Sequence, residues 1–222
     1  MTHFFDIDSI FFTILGYSMS YLEFFGTVVG ALAVWLSVKA NVWSWPAGAV
    51  SVSLFFFIFY QIQLYPDMFL QIFFLVTNLV GWWRWKNPAE GEEDRRQELR
   101  VTKLSTQNFW LILLAGGVAT AVFGTIAGRL HEWFPVLFNK PSAFPYLDSF
   151  TSVMSIVATY LLIQKKVETW YVWLLVDAIS AYMYFVKGVK FIGIEYGVYC
   201  LIALYGAYNF TREYRQYQQL PA

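Results

Sequence analysis

Seven apolar stretches, each close to twenty residues long, run through the chain at roughly 21–38, 43–62, 66–85, 107–127, 146–164, 168–187 and 190–210. A helix needs about 20 such residues to cross ~30 Å of hydrocarbon. The expected fold is therefore all-α and integral to a membrane, with seven transmembrane helices. Composition agrees, with 58% of residues hydrophobic, 21% aromatic and only 14% charged. A soluble domain of this size carries about a quarter charged residues and has no place to hide so much apolar surface. A formal net charge of zero and the lack of a basic stripe exclude a nucleic-acid partner. The single Cys200 excludes an internal disulfide and a thiolate metal cluster. The start, MTHFFDIDSI, is acidic and has no small-residue cleavage site, so the first span is expected to direct insertion itself.

Two segments fall outside the spans. Residues 4–16 are aromatic and apolar but broken by Asp6 and Asp8, and are expected to lie as a helix at the membrane interface, with a half-hydrophobic eighth span as the alternative. Asn87 to Lys103, with its GEEDRRQELR run, is expected to be a solvated cytoplasmic linker. With that linker inside, eleven basic residues are cytoplasmic: Lys39, Arg84, Lys86, Arg95, Arg96, Arg100, Lys103, Lys165, Lys166, Arg212 and Arg215. Only Arg129, Lys140, Lys187 and Lys190 fall outside. The positive-inside bias places the N-terminus outside and the C-terminus in the cytoplasm, in a bacterial inner membrane.

The chain also repeats itself. An offset of 125 residues aligns 21–85 with 146–210 without a gap, with ten identities in sixty-five positions. Tyr21-Leu22-Glu23 falls on Tyr146-Leu147-Asp148, Trp45 on Trp170, and Gly81 on Gly206. Three spans per copy is an odd number, so one extra helix between the copies is needed for both to point the same way. The expected organisation is an interfacial segment 1–20, repeat 1 at 21–85, a charged linker 86–106 and a linking helix 107–127. An external loop 128–145, repeat 2 at 146–210 and a cytoplasmic tail 211–222 complete it. Parallel repeats of this kind are a known transporter design, with substrate held near the midplane. A scaffold with an inherited duplication is the bland alternative.

Polar residues at membrane depth argue against that alternative. A charge at the bilayer centre costs ~2.5–3.5 kcal/mol on insertion scales and normally faces a cavity or a partner. Asp177 stands halfway along 168–187, on a helical face with Trp170, Trp173 and Tyr184. Two indoles, a carboxylate and a phenol suit a flat, cationic, heteroaromatic ligand, through stacking, cation–π contact and charge. The competing role for Asp177 is an ion pair that pins two helices, although no basic residue of its own span lies at that depth. Gln71, Asn78 and Trp82 share a face of the third span, where amides bond either a ligand or a neighbouring helix. Trp82, Trp83 and Trp85 read as an interfacial belt. Trp45-Pro46 opens the second span. Gly48, Ser51 and Phe55 follow on the same face and serve either close packing or a ligand. Glu195 and Tyr199 share a face of the last span, and Glu195 either lines a path or pairs with Lys190. Glu23 and Asp148 are expected to cap or anchor helices.

His3 and His131 lack ligand-spaced neighbours, so neither metal nor other cofactor is expected. No nucleophile–base set or phosphate loop appears, so the chain is not expected to be an enzyme or to drive transport by ATP alone.

The segments YLEFFGTVVGALAVWL, NVWSWPAGAVSV, FYQIQLYPDMFLQIFFLVTNLVGWWRW, FPYLDSFTSVMSIVA, KKVETWYVWLLVDAIS and FVKGVKF resemble the Pnu-type vitamin transporters over nearly all of Tyr21 to Phe210. The resemblance implies a 3+1+3 helix arrangement similar to full-length SWEET transporters, and a homotrimer. It implies facilitated diffusion of an unphosphorylated vitamin, trapped by a cytoplasmic vitamin kinase. The nicotinamide riboside branch, PnuC, typically has asparagine at the position of Asp177 and another near Ser51. Because this chain departs at both, the thiamine branch, PnuT, is favoured over nicotinamide riboside, with an ion-coupled carrier or channel as a different class. The residues carried over as substrate-binding are Trp45, Gln71, Asn78, Trp173, Asp177 and Tyr199, with Tyr184 and Glu195 beside them.

Overall fold

The computed structural model describes residues 4–14, 17–61, 65–94, 97–135, 144–186 and 190–219. A hairpin of β1 (Ile10–Ile14) and β2 (Tyr17–Ser20) precedes seven helices: α1 (Tyr21–Val38), α2 (Ser44–Gln61), α3 (Tyr65–Lys86), α4 (Thr106–Trp133), α5 (Pro145–Ile163), α6 (Glu168–Val186) and α7 (Lys190–Gln218). Every apolar stretch of the sequence became one helix. Local chemistry sets several ends: the Ser20 hydroxyl accepts from the Glu23 amide at the start of α1, and prolines sit in the first turns of α2 and α5. Among the described residues α1, α4 and α5 are long and apolar enough to cross a bilayer, and Ser44–Ile58 of α2 is a shorter apolar helix.

The chain divides into two compact units, Met1–Arg100 and Val101–Ala222. In the first, α1 packs on α2 and α2 on α3. Gly26 and Gly30 of α1 receive Phe55 and Ser51 of α2, and the Ser51 hydroxyl donates to the Gly26 carbonyl at 2.8 Å. The outward side of α1 carries Phe25, Val28, Leu32 and Trp35, all exposed, as suits a helix whose solvent is lipid. In the second unit α4 packs on α5, α5 on α6 and α6 on α7. Gly124 of α4 lies under the Tyr146 ring, and Met154, Ala158 and Leu161 of α5 form a core with Val172 and Val176 of α6.

The duplication reaches down to single backbone angles. Ala40, in the α1–α2 turn, and Lys165, 125 residues later in the α5–α6 turn, both have φ of 51°. The Asn41 amide donates to the Leu36 carbonyl at 3.0 Å, and the matching Lys166 amide donates to Leu161 at 2.9 Å. These close the same left-handed helix end in both units.

Two expectations change and two gain detail. Residues 4–14 do not form a helix: Ile10–Ile14 pairs antiparallel with Tyr17–Ser20, with a register irregularity between Ile10 and Phe12. Crowded β-branched and aromatic residues fit a pleated ribbon better than a short helix turn. Gln61 clamps the segment ahead of the hairpin, accepting from the Ile7 amide and donating to the Phe5 carbonyl. The charged linker is folded rather than simply solvated: Leu99 and Val101 are 3% and 1% exposed. Its first half returns to α3 through Leu99 N–H to the Trp85 carbonyl and an Arg84–Glu92 ion pair of 2.7 Å. Its second half pairs with the α5–α6 turn, where Thr102 and Val167 exchange backbone bonds with Lys165 and Thr102. Lys165, counted among cytoplasmic charges, has a fully buried side chain beside that pairing. Finally, the expected tail is a continuation of α7 as far as Gln218.

Candidate functional site

Asp177 is the group around which the second unit's chemistry gathers. It sits in the middle of α6, only 6% exposed. Among the described residues it has no hydrogen-bond or ion-pair partner, so the helix-pinning role found no counterpart. The thiol of Cys200 in α7 lies within electrostatic range of that carboxylate. Trp173, one helical turn earlier, is half-buried and rests against the Met154–Ala158–Leu161 core.

Trp170 behaves differently from Trp173, although the spacing grouped them. It is 4% exposed and packs away from that core, onto Gly206 and edge-on to Phe210 of α7, with ring centroids 5.4 Å apart. The stripe read from the sequence is thus divided between two neighbours, α5 and α7. A spacing of three residues leaves about 60° between two side chains, enough to separate them.

In the first unit, Trp45 is 5% exposed and packs on Gly81 and edge-on to Trp85, at 5.3 Å. Trp85, expected in an interfacial belt, is fully buried, whereas Trp82 and Trp83 are exposed as a belt requires. Asn78 ties its amide nitrogen to the Phe74 carbonyl of its own helix at 2.8 Å. Its amide oxygen is laid against the bare Cα of Gly48, so Gly48 serves helix packing. Gln71 is half-buried on α3. Tyr199 of α7 is 38% exposed and meets Tyr196 edge-on. The side chains of Tyr184 and Glu195 lie outside the described residues, and with them the Glu195–Lys190 alternative.

Sequence reasoning missed the contact partners of the two indoles. Gly81 and Gly206 had been noticed only as markers of the repeat, and the aromatic match of Trp85 with Phe210 was the available signal. Among the described residues no group of three metal-ligating side chains occurs.

A multi-helix membrane chain with a buried mid-helix carboxylate that has no partner among the described residues has the build of a small-molecule transporter. The family profile described as nicotinamide mononucleotide transporter matches residues 20–212, and the chain belongs to that family. It is 30% identical over 205 residues to the nicotinamide riboside transporter PnuC of Escherichia coli K12, covering 86% of this chain and 85% of the relative. It is 30% identical over 201 residues to PnuC of Neisseria mucosa, covering 87% and 73%. The riboflavin/roseoflavin transporter RibM of Streptomyces davaonensis is 26% identical over 201 residues, covering 90% and 89%. A crystal structure of the vitamin B3 transporter PnuC superposes with a TM-score of 0.63 at 26% identity, covering 88% of this chain and 83% of that one. The protein is a multi-pass membrane transporter of a vitamin-type molecule and not an enzyme. The thiamine preference drawn from Asp177 gains no support from these relatives, whose names speak of nicotinamide riboside and riboflavin.

Proposed function

We propose that the protein carries nicotinamide riboside across the bacterial inner membrane. The family and its 30%-identical relatives support this over thiamine, and the buried carboxylate of α6, which has no partner among the described residues, suits the cationic ring. The ligand's pyridinium ring is a flat cation, and Asp177 supplies its charge partner while Trp173 supplies a stacking face. An aspartate where that branch typically has asparagine strengthens attraction to the same cation, so the substitution does not by itself point to another vitamin. Within the first unit Gln71 and Asn78 are proposed as polar ligand contacts, and within the second Tyr199, Tyr184 and Glu195.

The transport mode proposed is facilitated diffusion, with phosphorylation by a cytoplasmic kinase preventing return. The seven helices are read as seven spans in a 3+1+3 order like that of full-length SWEET transporters, with α4 as the linking span. The N-terminus lies outside, the C-terminus lies inside, and the assembly is a homotrimer.

Titration of the purified full chain separates the substrates, read by quenching of its ten tryptophans. Nicotinamide riboside is expected to give saturable quenching, with thiamine, riboflavin and the phosphorylated mononucleotide weaker by tenfold or more. Saturation by thiamine or riboflavin alone would overturn the assignment. Uptake into proteoliposomes that is abolished by dissipating a proton gradient would favour an ion-coupled carrier instead.

A further inference from the structure

The same three-residue construction appears in both helix pairs, where the first turn of one helix meets the later turns of the next. In the first unit the Trp45 ring lies on Gly81, where a Cβ would stand 2.5 Å from two ring carbons, and Trp85 meets the ring edge-on at 89°. In the second the Trp170 ring lies on Gly206, where a Cβ would come nearer still, and Phe210 meets it edge-on at 78°. All three members are separated by 125 residues. Both indole N–H groups are buried with no acceptor among the described residues. A donor buried without a partner is a cost, and here it recurs at matching positions. The recurrence points to the ring's volume, and not its polar atom, as what the position requires.

Each seat also adjoins the residues proposed to meet the ligand. Trp45 is one turn from Gly48, and Gly81 one turn from Asn78, whose amide oxygen lies on Gly48. Trp170 is one turn from Trp173 and two turns from Asp177 on α6, while Gly206 is less than two turns from Cys200 on α7. A ring seated directly on backbone leaves no slack: sliding or rotating one helix against the other drives the indole into main chain.

We infer that Trp45 and Trp170 are positioning residues for transport, not ligand contacts. Each fixes the register of its helix pair, α2 on α3 and α6 on α7, and so presents Asn78 and Asp177 at a set height. The inference rests on the proposed ligand contacts, so its test carries one readout that needs no vitamin. Cys200, the chain's single cysteine, reports the α6–α7 register through its rate of alkylation by a small maleimide.

In the full chain, Gly206→Ala is expected to change that rate at least threefold without vitamin and to weaken nicotinamide riboside binding about tenfold or more. The double variant Trp170→Phe/Gly206→Ala makes room for the methyl and forfeits no hydrogen bond among the described residues. It is expected to restore both readouts to within about threefold. Gly81→Ala and Trp45→Phe/Gly81→Ala should repeat the binding pattern in the first unit. If Gly206→Ala lowers only the melting temperature, with alkylation and affinity unchanged in the folded fraction, the residues are packing alone and the inference is overturned. A rescued shift in alkylation in a protein that binds no vitamin would uphold the register role while removing the proposed substrate. Loss of both readouts without rescue by the double variant would count against the seat.

Discussion

The two units agree at one end of their helix pairs and disagree in the middle. Where α2 and α6 begin, Trp45–Gly81–Trp85 and Trp170–Gly206–Phe210 are one design used twice, as are the left-handed turns at Ala40 and Lys165 just ahead of them. One turn further along, Gly48 of the first unit corresponds to Trp173 of the second, and Asn78 to Ala203. The small and large members have changed sides. Val52 corresponds to Asp177, and Ser51, bonded to Gly26, to Val176 in the apolar core. The packed indole seats match in both units, whereas the amide stands in one unit and the indole and carboxylate in the other.

Four measurements bear on that contrast. If the indole seats are equivalent scaffold, Trp85→Ala and Phe210→Ala should each destabilise the protein by about 3–5 kcal/mol, read as loss of melting temperature in detergent. A large effect for one and none for the other would break the equivalence. If the middle positions carry specificity, Asp177→Asn should weaken nicotinamide riboside binding by about 1.5–3 kcal/mol, roughly 10- to 150-fold, as expected for a bond to a charged group. Val52→Ala, at the matching position, should leave affinity within about twofold, so equal losses at both sites would erase the distinction. Ala40→Gly relieves a left-handed residue and should stabilise by about 0.5–1 kcal/mol. Lys165→Gly should show less gain or a loss, because it also removes a buried side chain, and comparing the two melting curves tests this. Ser51→Ala should cost only about 0.6 kcal/mol, the average for such bonds between membrane helices. A larger loss would mean that Ser51 does more than hold α1.

The helices were legible because twenty apolar residues have one outcome in lipid, and their ends fell within a few residues of the hydropathy changes, except where α4 and α7 run on into polar sequence. The repeat was legible through Trp45, Trp170, Gly81 and Gly206, but not what those residues touch, since a glycine announces a close approach without naming the visitor. The hairpin at Ile10–Ser20 escaped because its aromatic run shows neither a helical nor a strict two-residue period. The linker misled because Leu99 and Val101 are two apolar residues among many charges, alternating in the manner of a strand. Asp177 stood out for its depth and its aromatic face. That it has no partner among the described residues is a three-dimensional fact, which no spacing rule supplies.

The hairpin ahead of α1 has a consequence for how the protein floats. A two-stranded ribbon leaves its outer backbone edges unpaired, and those groups must meet water or headgroups, never acyl chains. Yet Phe11 packs at a tilt on Phe24 and Phe25 of α1, and Phe5, just ahead of the ribbon, meets Phe57 of α2 edge-on, so rings fasten this segment to the helices. A ribbon tied down in this way suits the headgroup layer, where its backbone edges have polar company and its rings have apolar company.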